Sequence, residues 1–234
     1  MKNNIIILFI LFIVFILLCL YFYSSKPQKI TDNKKNINDF KIIYINLDHR
    51  TDRKDEIEKE LYKFNLTNFE RFPAISHKNG AIGCSKSHLA IIKKAKENGY
   101  KNLIVLEDDF EFIVDQSNFN EQINKLLKVP FNVCLLAYNT PNLYESDHPF
   151  LYKIKDAQTA SGYIIQSHYY DTLIAQWENA LRLFEETNDD TKYTCDQSWK
   201  PLQDKDNWYC FKMRIGKQRK SFSDIQNGVV DYNV

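Results

Sequence analysis

Leu103-Ile104-Val105-Leu106-Glu107-Asp108-Asp109 joins a short apolar run directly to three consecutive carboxylates. The run is β-branched and unbroken, which is the composition of a strand covered on both faces. In an open α/β sheet, ligands bind beyond the carboxyl ends of the strands. Three acids crowded there repel one another and lose hydration, so a positive partner is expected. A hard divalent cation held by oxygen ligands meets that need. Side chains alternate along a strand, so Glu107 and Asp109 are expected on one side, toward one cation, and Asp108 on the other. A solvated acidic turn after a strand is the plainer alternative.

Outward from this strand the chain alternates between the two periodicities. Lys41–Leu47 and Asn68–Ile75 are predicted strands flanking a helix at Thr51–Phe64, whose stripe is Ile57, Leu61 and Phe64. Asp52, Asp55 and Glu56 crowd the start of that helix, which suits its dipole. A helix over Gly83–Asn98 precedes the acid-tipped strand, with Leu89, Ile92 and Ala95 facing inward and Gly99 stopping it. Downstream follow a helix at Phe119–Lys128, strands at Phe131–Tyr138 and Ala160–Gln166, a helix at His168–Phe184 and a last strand at Trp208–Ile215. Asn139–Pro149 and Glu185–Tyr193 are expected loops. Strands alternating with helices give a single α/β domain.

The chain has 234 residues, with 31 basic and 30 acidic side chains and a net charge of +1. That balance gives no support to a nucleic-acid partner. Ile5–Tyr23 is an uninterrupted apolar stretch long enough to cross a bilayer, without an Ala-x-Ala-like cleavage site after it. The expectation is an uncleaved anchor over residues 1–23, a Lys/Asn-rich stem over 24–38, a domain over 39–226 and a polar tail over 227–234. This makes the protein single-pass in the membrane, with the side of its domain left open by a weak lysine asymmetry. Cys84, Cys134, Cys195 and Cys210 are scattered without a Cys-x-x-Cys, so no zinc site is expected. Cys134 reads as a buried thiol, and pairing of Cys195 with Cys210 is left open.

Three segments carry chemistry together. Asn46-Leu47-Asp48-His49-Arg50-Thr51-Asp52-Arg53 is a strand end, a polar turn and a helix start. Main-chain amides and two arginines there suit phosphates, although Arg50 and Arg53 paired to Asp48 and Asp52 is the plainer reading. Gly80-Ala81-Ile82-Gly83-Cys84-Ser85-Lys86-Ser87-His88 places two glycines where a ligand could approach the backbone, with Ser87 and His88 beside it. The alternative is a helix cap with a packed histidine. The third segment is Glu107-Asp108-Asp109.

In this order and spacing the three segments resemble glycosyltransferase family 25. Asn46, Leu47, Asp48, Gly80, Gly83, Cys84, Ser87, His88 and Leu106–Asp109 match its motifs, and His49 departs by standing before Arg50. Thr159-Ala160-Ser161-Gly162-Tyr163 is similar to a later family strand, and Asp196 and Gln218–Ile225 resemble its closing elements more loosely. The resemblance covers roughly residues 40–226. It implies a single GT-A-like (Rossmann-like) domain, here behind the N-terminal transmembrane helix. It also implies a divalent cation, typically Mn²⁺, and transfer with inversion of a hexose, galactose or glucose, from a nucleotide-sugar such as a UDP-hexose. The acceptor would be a glycan, a glycolipid or a hydroxylated protein. Glu107 and Asp109 would hold the cation. Asn46, Asp48, Arg50, Arg53, Gly83, Ser87, His88 and Asp108 would bind the donor, and Asp196 would be the base.

Two other functions compete. A two-component receiver domain also ends a strand in adjacent acids, but the strand Phe131–Tyr138 closes on Tyr138-Asn139 where a phosphoacceptor aspartate is needed. A non-catalytic relative that binds a nucleotide-sugar or glycan as an accessory protein is the stronger rival. The presence of all three carboxylates argues against it.

Overall fold

The computed structural model describes residues 40–223 and 228–231, with Ile16 and Ile37 standing alone. The chain divides into Met1–Lys34 and Lys35–Val234, and the second unit carries the fold. Its elements run β1 Lys41–Asn46, α1 Thr51–Lys63, β2 Phe69–Pro73, α2 Gly80–Glu97, β3 Asn102–Glu107, β4 Phe110–Phe112 and α3 Gln116–Leu126. There follow β5 Val133–Leu135, β6 Tyr144–Glu145, β7 Leu151–Lys153, β8 Gly162–Gln166 and, after a 3₁₀ turn, α4 Tyr170–Thr187. Then come α5 Asp190–Tyr193, α6 Cys195–Ser198, α7 Lys200–Lys205, β9 Trp208–Phe211, β10 Gly216–Gln218, β11 Ser221–Ser223 and β12 Gly228–Val230.

Eight strands form one sheet in the order β2-β1-β3-β8-β5-β9-β7-β6. β1 is parallel to β2 and to β3, and β5 is parallel to β9. β8 runs antiparallel between β3 and β5. Alternation along the central strands sorts the core into two layers. Ile42, Tyr44, Ile104 and Leu106 pack with Ile57 and Leu61 of α1 and with Phe119 and Ile123 of α3. Ile43, Ile45, Leu103 and Val105 pack with Leu89 and Ile92 of α2 and with Leu173 and Trp177 of α4. The sheet is therefore covered on both faces, as the unbroken apolar runs require.

Helix starts differ from the sequence reading for identifiable reasons. α2 begins at Gly80, ahead of the predicted Gly83, because the Asn79 side chain accepts hydrogen bonds from the amides of Ala81 and Ile82. α3 begins at Gln116 because Asp115 caps it at Asn118. The last strand is shorter than predicted, ending at Phe211, and the chain then turns into β10, which pairs with β4. Gly228–Val230, expected in the tail, pairs with β11.

The membrane expectation is corrected. Among the described residues no helix is long and apolar enough to cross a membrane, and Ile5–Tyr23 and the stem lie outside the described residues, Ile16 and Ile37 apart. The two longest described helices, α2 and α4, have 18 residues each. α2 carries Lys86, Lys93, Lys94 and Lys96, and α4 carries Asp171, Glu178, Arg182 and Glu185. Such charge is expelled by hydrocarbon. Cys195 and Cys210 are both free thiols.

Candidate functional site

β3 delivers Glu107 to the carboxyl edge of the sheet, and a turn carries Asp108 and Asp109 before β4 begins. That turn is fixed by the residue after it. The Phe110 ring is fully buried and fills a slot between Gly162 and Gly216, where an added Cβ would come within 2.5 Å and 2.1 Å of the ring. The carboxylate at Asp109 is thus attached to an immobile anchor.

The three acids have different neighbours. Asp108 accepts from Asn46 Nδ2 and from Arg53 Nη1, each at 2.8 Å. Arg53 Nη1 also lies 3.4 Å from Asp109 Oδ2, and Arg53 Nη2 donates to the Phe222 carbonyl at 2.9 Å. The acids therefore do have a basic partner, which the sequence reading did not identify. Arg53 is committed to them and to β11. Burial raises the Asp108 carboxyl, and Arg53 and Asn46 offset part of that rise. Asp109 is pushed up to about 7 by burial and by the Glu107 charge beside it. Its Oδ1 is buried with no hydrogen-bond partner. An orphaned carboxylate oxygen at the tip of an acid cluster fits a divalent cation, so the residues present suit that group.

Glu107 reaches in two directions. Its Oε1 lies 3.1 Å from His88 Nε2 and 3.6 Å from Cys84 Sγ, and its Oε2 accepts from Gln218 at 3.4 Å. Burial alone would raise this carboxyl, but the hydrogen bond and charge of His88 outweigh it, and it lies below its ordinary value. His88 is fully buried. Burial pulls it down, while Cys84 and Glu107 together lift it to about 10. Its Nδ1 faces the Tyr163 hydroxyl at 3.1 Å. Position 88 shares the inward face of α2 with Ala95 and Ile92, and that periodicity was the signal that it would be packed.

Two cavities meet at this edge. The first, of about 340 Å³, is lined by Asn46, Leu47, His49, Arg53, residues 74–78, Gly80, Cys84, Glu107, Asp108, Asp109 and Gln218. The second, of about 230 Å³, is lined by Ala81, Cys84, Ser85, Glu107, Thr159, Cys195, Asp196 and Gln218, among others. Cys84, Glu107 and Gln218 belong to both. Asp196 therefore opens onto the same edge as the acid cluster. Its Oδ1 accepts from the Thr194 hydroxyl at 2.7 Å and its Oδ2 from the Thr159 amide at 3.1 Å. Thr159 has φ 84°, a left-handed conformation that is unfavourable for a β-branched residue.

The remaining sequence candidates sit as follows. Asn46 lines the first cavity and is also held by Arg71, whose Nε donates to Asn46 Oδ1 at 2.8 Å. Asp48 is exposed and paired with Arg71, and Arg50 pairs with Asp52 at 2.9 Å. Ser87 is buried, donating to the Gly83 carbonyl and accepting from the Ile75 amide, each at 2.8 Å. An added Cβ at Gly83 would lie 2.5 Å from the Ile75 carbonyl oxygen. The close approach at Gly83 is thus to the loop walling the cavity. Arg71 was not singled out in the sequence, and Thr159 and Gln218 stood in the two later segments of the family resemblance without a role of their own. Arg71 stands in register with Tyr44 across the β1–β2 pair, which the alternation of strand Phe69–Pro73 could have placed at the site.

Comparison with known proteins agrees with the resemblance read from the sequence. Residues 78–192 match glycosyltransferase family 25 (LPS biosynthesis protein). A protein of Acanthamoeba polyphaga mimivirus, whose name calls it a putative glycosyltransferase, is 31% identical over 130 residues, 45% of this chain. The match spans 39% of that relative's length. The crystal structure of a glycosyltransferase involved in glycosylation of the major capsid of PBCV-1 superposes with a TM-score of 0.53 at 10% identity, covering 80% of this chain and 96% of that one. At that identity the likeness concerns the fold alone, a mixed α/β glycosyltransferase-like sheet. Family match and named relative support the expected enzyme class, a glycosyltransferase.

Proposed function

Starting from a chain whose residues 78–192 match glycosyltransferase family 25, we propose that this protein transfers a hexose from a nucleotide-sugar to a hydroxyl acceptor, with inversion and with a divalent cation bound. The observation that carries this reading is the meeting of two cavities at Glu107, with buried acids on one side and Asp196 on the other. The first cavity would take the donor's nucleotide and diphosphate, and the second the acceptor.

Glu107 and Asp109 would hold the cation, which when bound supplies charge against the departing nucleoside diphosphate. Asp108 and Arg53 lock the turn that presents them, with Asn46 fixing Asp108 from the end of β1. Asp196 would accept the proton of the acceptor hydroxyl as its oxygen attacks the anomeric carbon. A new carbon–oxygen bond to the acceptor forms, the bond to the diphosphate oxygen breaks, and the proton rests on Asp196. The Thr194 and Thr159 donors hold that carboxylate in one orientation. One base on the face opposite the leaving group is what inversion needs.

The test is a screen of the full chain with Mn²⁺ against a panel of nucleotide-sugars and of glycan, glycolipid and hydroxylysine-peptide acceptors, reading released nucleoside diphosphate and product stereochemistry. Nucleotide release that depends on both acceptor and cation supports the reading. Donor binding without turnover for any acceptor would leave the accessory-protein function in its place.

A further inference from the structure

Cys84, His88 and Cys195 stand apart from the acid cluster in chemistry. Their ligand atoms, two thiol sulfurs and one imidazole nitrogen, lie within 4.8 Å of one another. Cys84 and His88 are four apart on α2, so they share one face. Cys195 arrives from the far end of the domain, its amide donating to Ser85 Oγ at 3.1 Å and its carbonyl accepting from Trp177 Nε1 at 2.9 Å. All three positions are therefore fixed independently of any ion. The spacing search for Cys-x-x-Cys passed over this group because its two thiols come from separate elements.

Glu107 borders this group on the side of the acid cluster. Glu107 Oε1 is 3.1 Å from His88 Nε2 and 3.6 Å from Cys84 Sγ. Two thiols and one imidazole within this reach are three of the four corners of a tetrahedral site, and thiolate with imidazole favours zinc over magnesium or manganese. An outer support is present too, since the other nitrogen, His88 Nδ1, is 3.1 Å from the Tyr163 hydroxyl. Such a bond orients an imidazole whose Nε2 ligates a metal. Cys84 borders both cavities, which gives an ion a route to an otherwise buried cluster.

We propose that Cys84, His88 and Cys195 bind a zinc-type divalent cation that ties α2 to the start of α6. The ion would fasten the helix bordering the first cavity to the segment bearing Asp196, and so set the distance between the two halves of the site. This site is separate from the hard cation at Asp109 and does not depend on which sugar is moved.

The test uses the full chain, stripped with chelator in the presence of a thiol reductant and then titrated with Co²⁺ as a spectroscopic probe. The expected result is a thiolate-to-cobalt charge-transfer band that saturates at one equivalent, is erased by Zn²⁺ and persists in excess Mn²⁺. Cys195→Ser should weaken the band and Cys210→Ser should leave it intact. X-ray absorption at the zinc edge of the wild-type protein needs no variant, and should show two sulfur neighbours at ~2.3 Å. A spectrum without sulfur scatterers, or a charge-transfer band unchanged in both Cys84→Ser and Cys195→Ser, overturns the proposal. Loss of the band because Cys84 and Cys195 have formed a disulfide that persists under reductant overturns it as well.

Discussion

Asp109→Asn separates the two roles the acid cluster can have. In the folded chain the Asp109 carboxyl is pushed up to about 7 from 3.8. The native state thus keeps this proton where the unfolded chain has already released it, and stability falls as pH rises between those values. Three units at ~1.4 kcal/mol each bound the effect at about 4 kcal/mol above pH 7. Titration shared with Glu107, and loss of the Arg53 contact at 3.4 Å, reduce what substitution recovers to roughly half, about 2 kcal/mol. For a domain of this size that is a Tm increase of about 4–8 °C at pH 8. The assay is thermal unfolding of wild type and variant in EDTA from pH 4 to pH 8. The gain should shrink toward zero as pH falls to 4, where the native carboxyl is protonated and the unfolded one is close to its own midpoint. Mn²⁺ should raise the Tm of the wild type and not that of Asp109→Asn, and turnover of the variant should vanish. A variant less stable than wild type at pH 8, or one that retains turnover, would refute the assignment of Asp109 as a strained ligand awaiting a cation.

Asp196→Asn keeps the two hydrogen-bond acceptor positions partly filled but cannot take a proton, so kcat should fall on the order of 10²–10⁴-fold with donor KM nearly unchanged; retained kcat in the folded variant would remove Asp196 from the mechanism. Arg53→Met leaves Asp108 buried and uncompensated, and denaturant unfolding should show a loss of about 3–5 kcal/mol. Gly83→Ala drives a methyl against the Ile75 carbonyl, which should cost about 1–3 kcal/mol and weaken nucleotide affinity by displacing the 74–78 wall, as read by chemical denaturation and by titration calorimetry with a nucleoside diphosphate.

The core strands were legible because burial on both faces leaves an unbroken apolar run, as in Lys41–Leu47 and Leu103–Leu106. β4, β6 and β10 were not, since two or three residues are too short for any period to register. The acid cluster could be read as a site, but strand alternation stops at Glu107 because Asp108 and Asp109 lie in a turn, and the tie of Asp108 to Arg53 spans 55 positions that no local pattern encodes. His88 was placed near the ligand by its motif. The structure puts it a layer deeper, between Glu107 and Tyr163, because the inward face of α2 claims it. Cys84 and Cys195 met for the same long-range reason: each is ordinary in its own segment.

β8 closes the sheet between β3 and β5, and this has a consequence for synthesis. A ribosome releases Asn102–Glu107 well before Gly162–Gln166, so β3 waits as an apolar strand paired only to β1. Its open edge is a template for other chains during that interval. β5 waits with neither partner, since both β8 and β9 follow it. The β2-β1-β3 sheet reaches β5 only when residues 162–166 insert antiparallel between β3 and β5, which brings the Gly162 wall of the Phe110 slot, and the Gly216 wall follows later. The edge that carries the acid cluster is therefore assembled late, after β3 has waited with one side open.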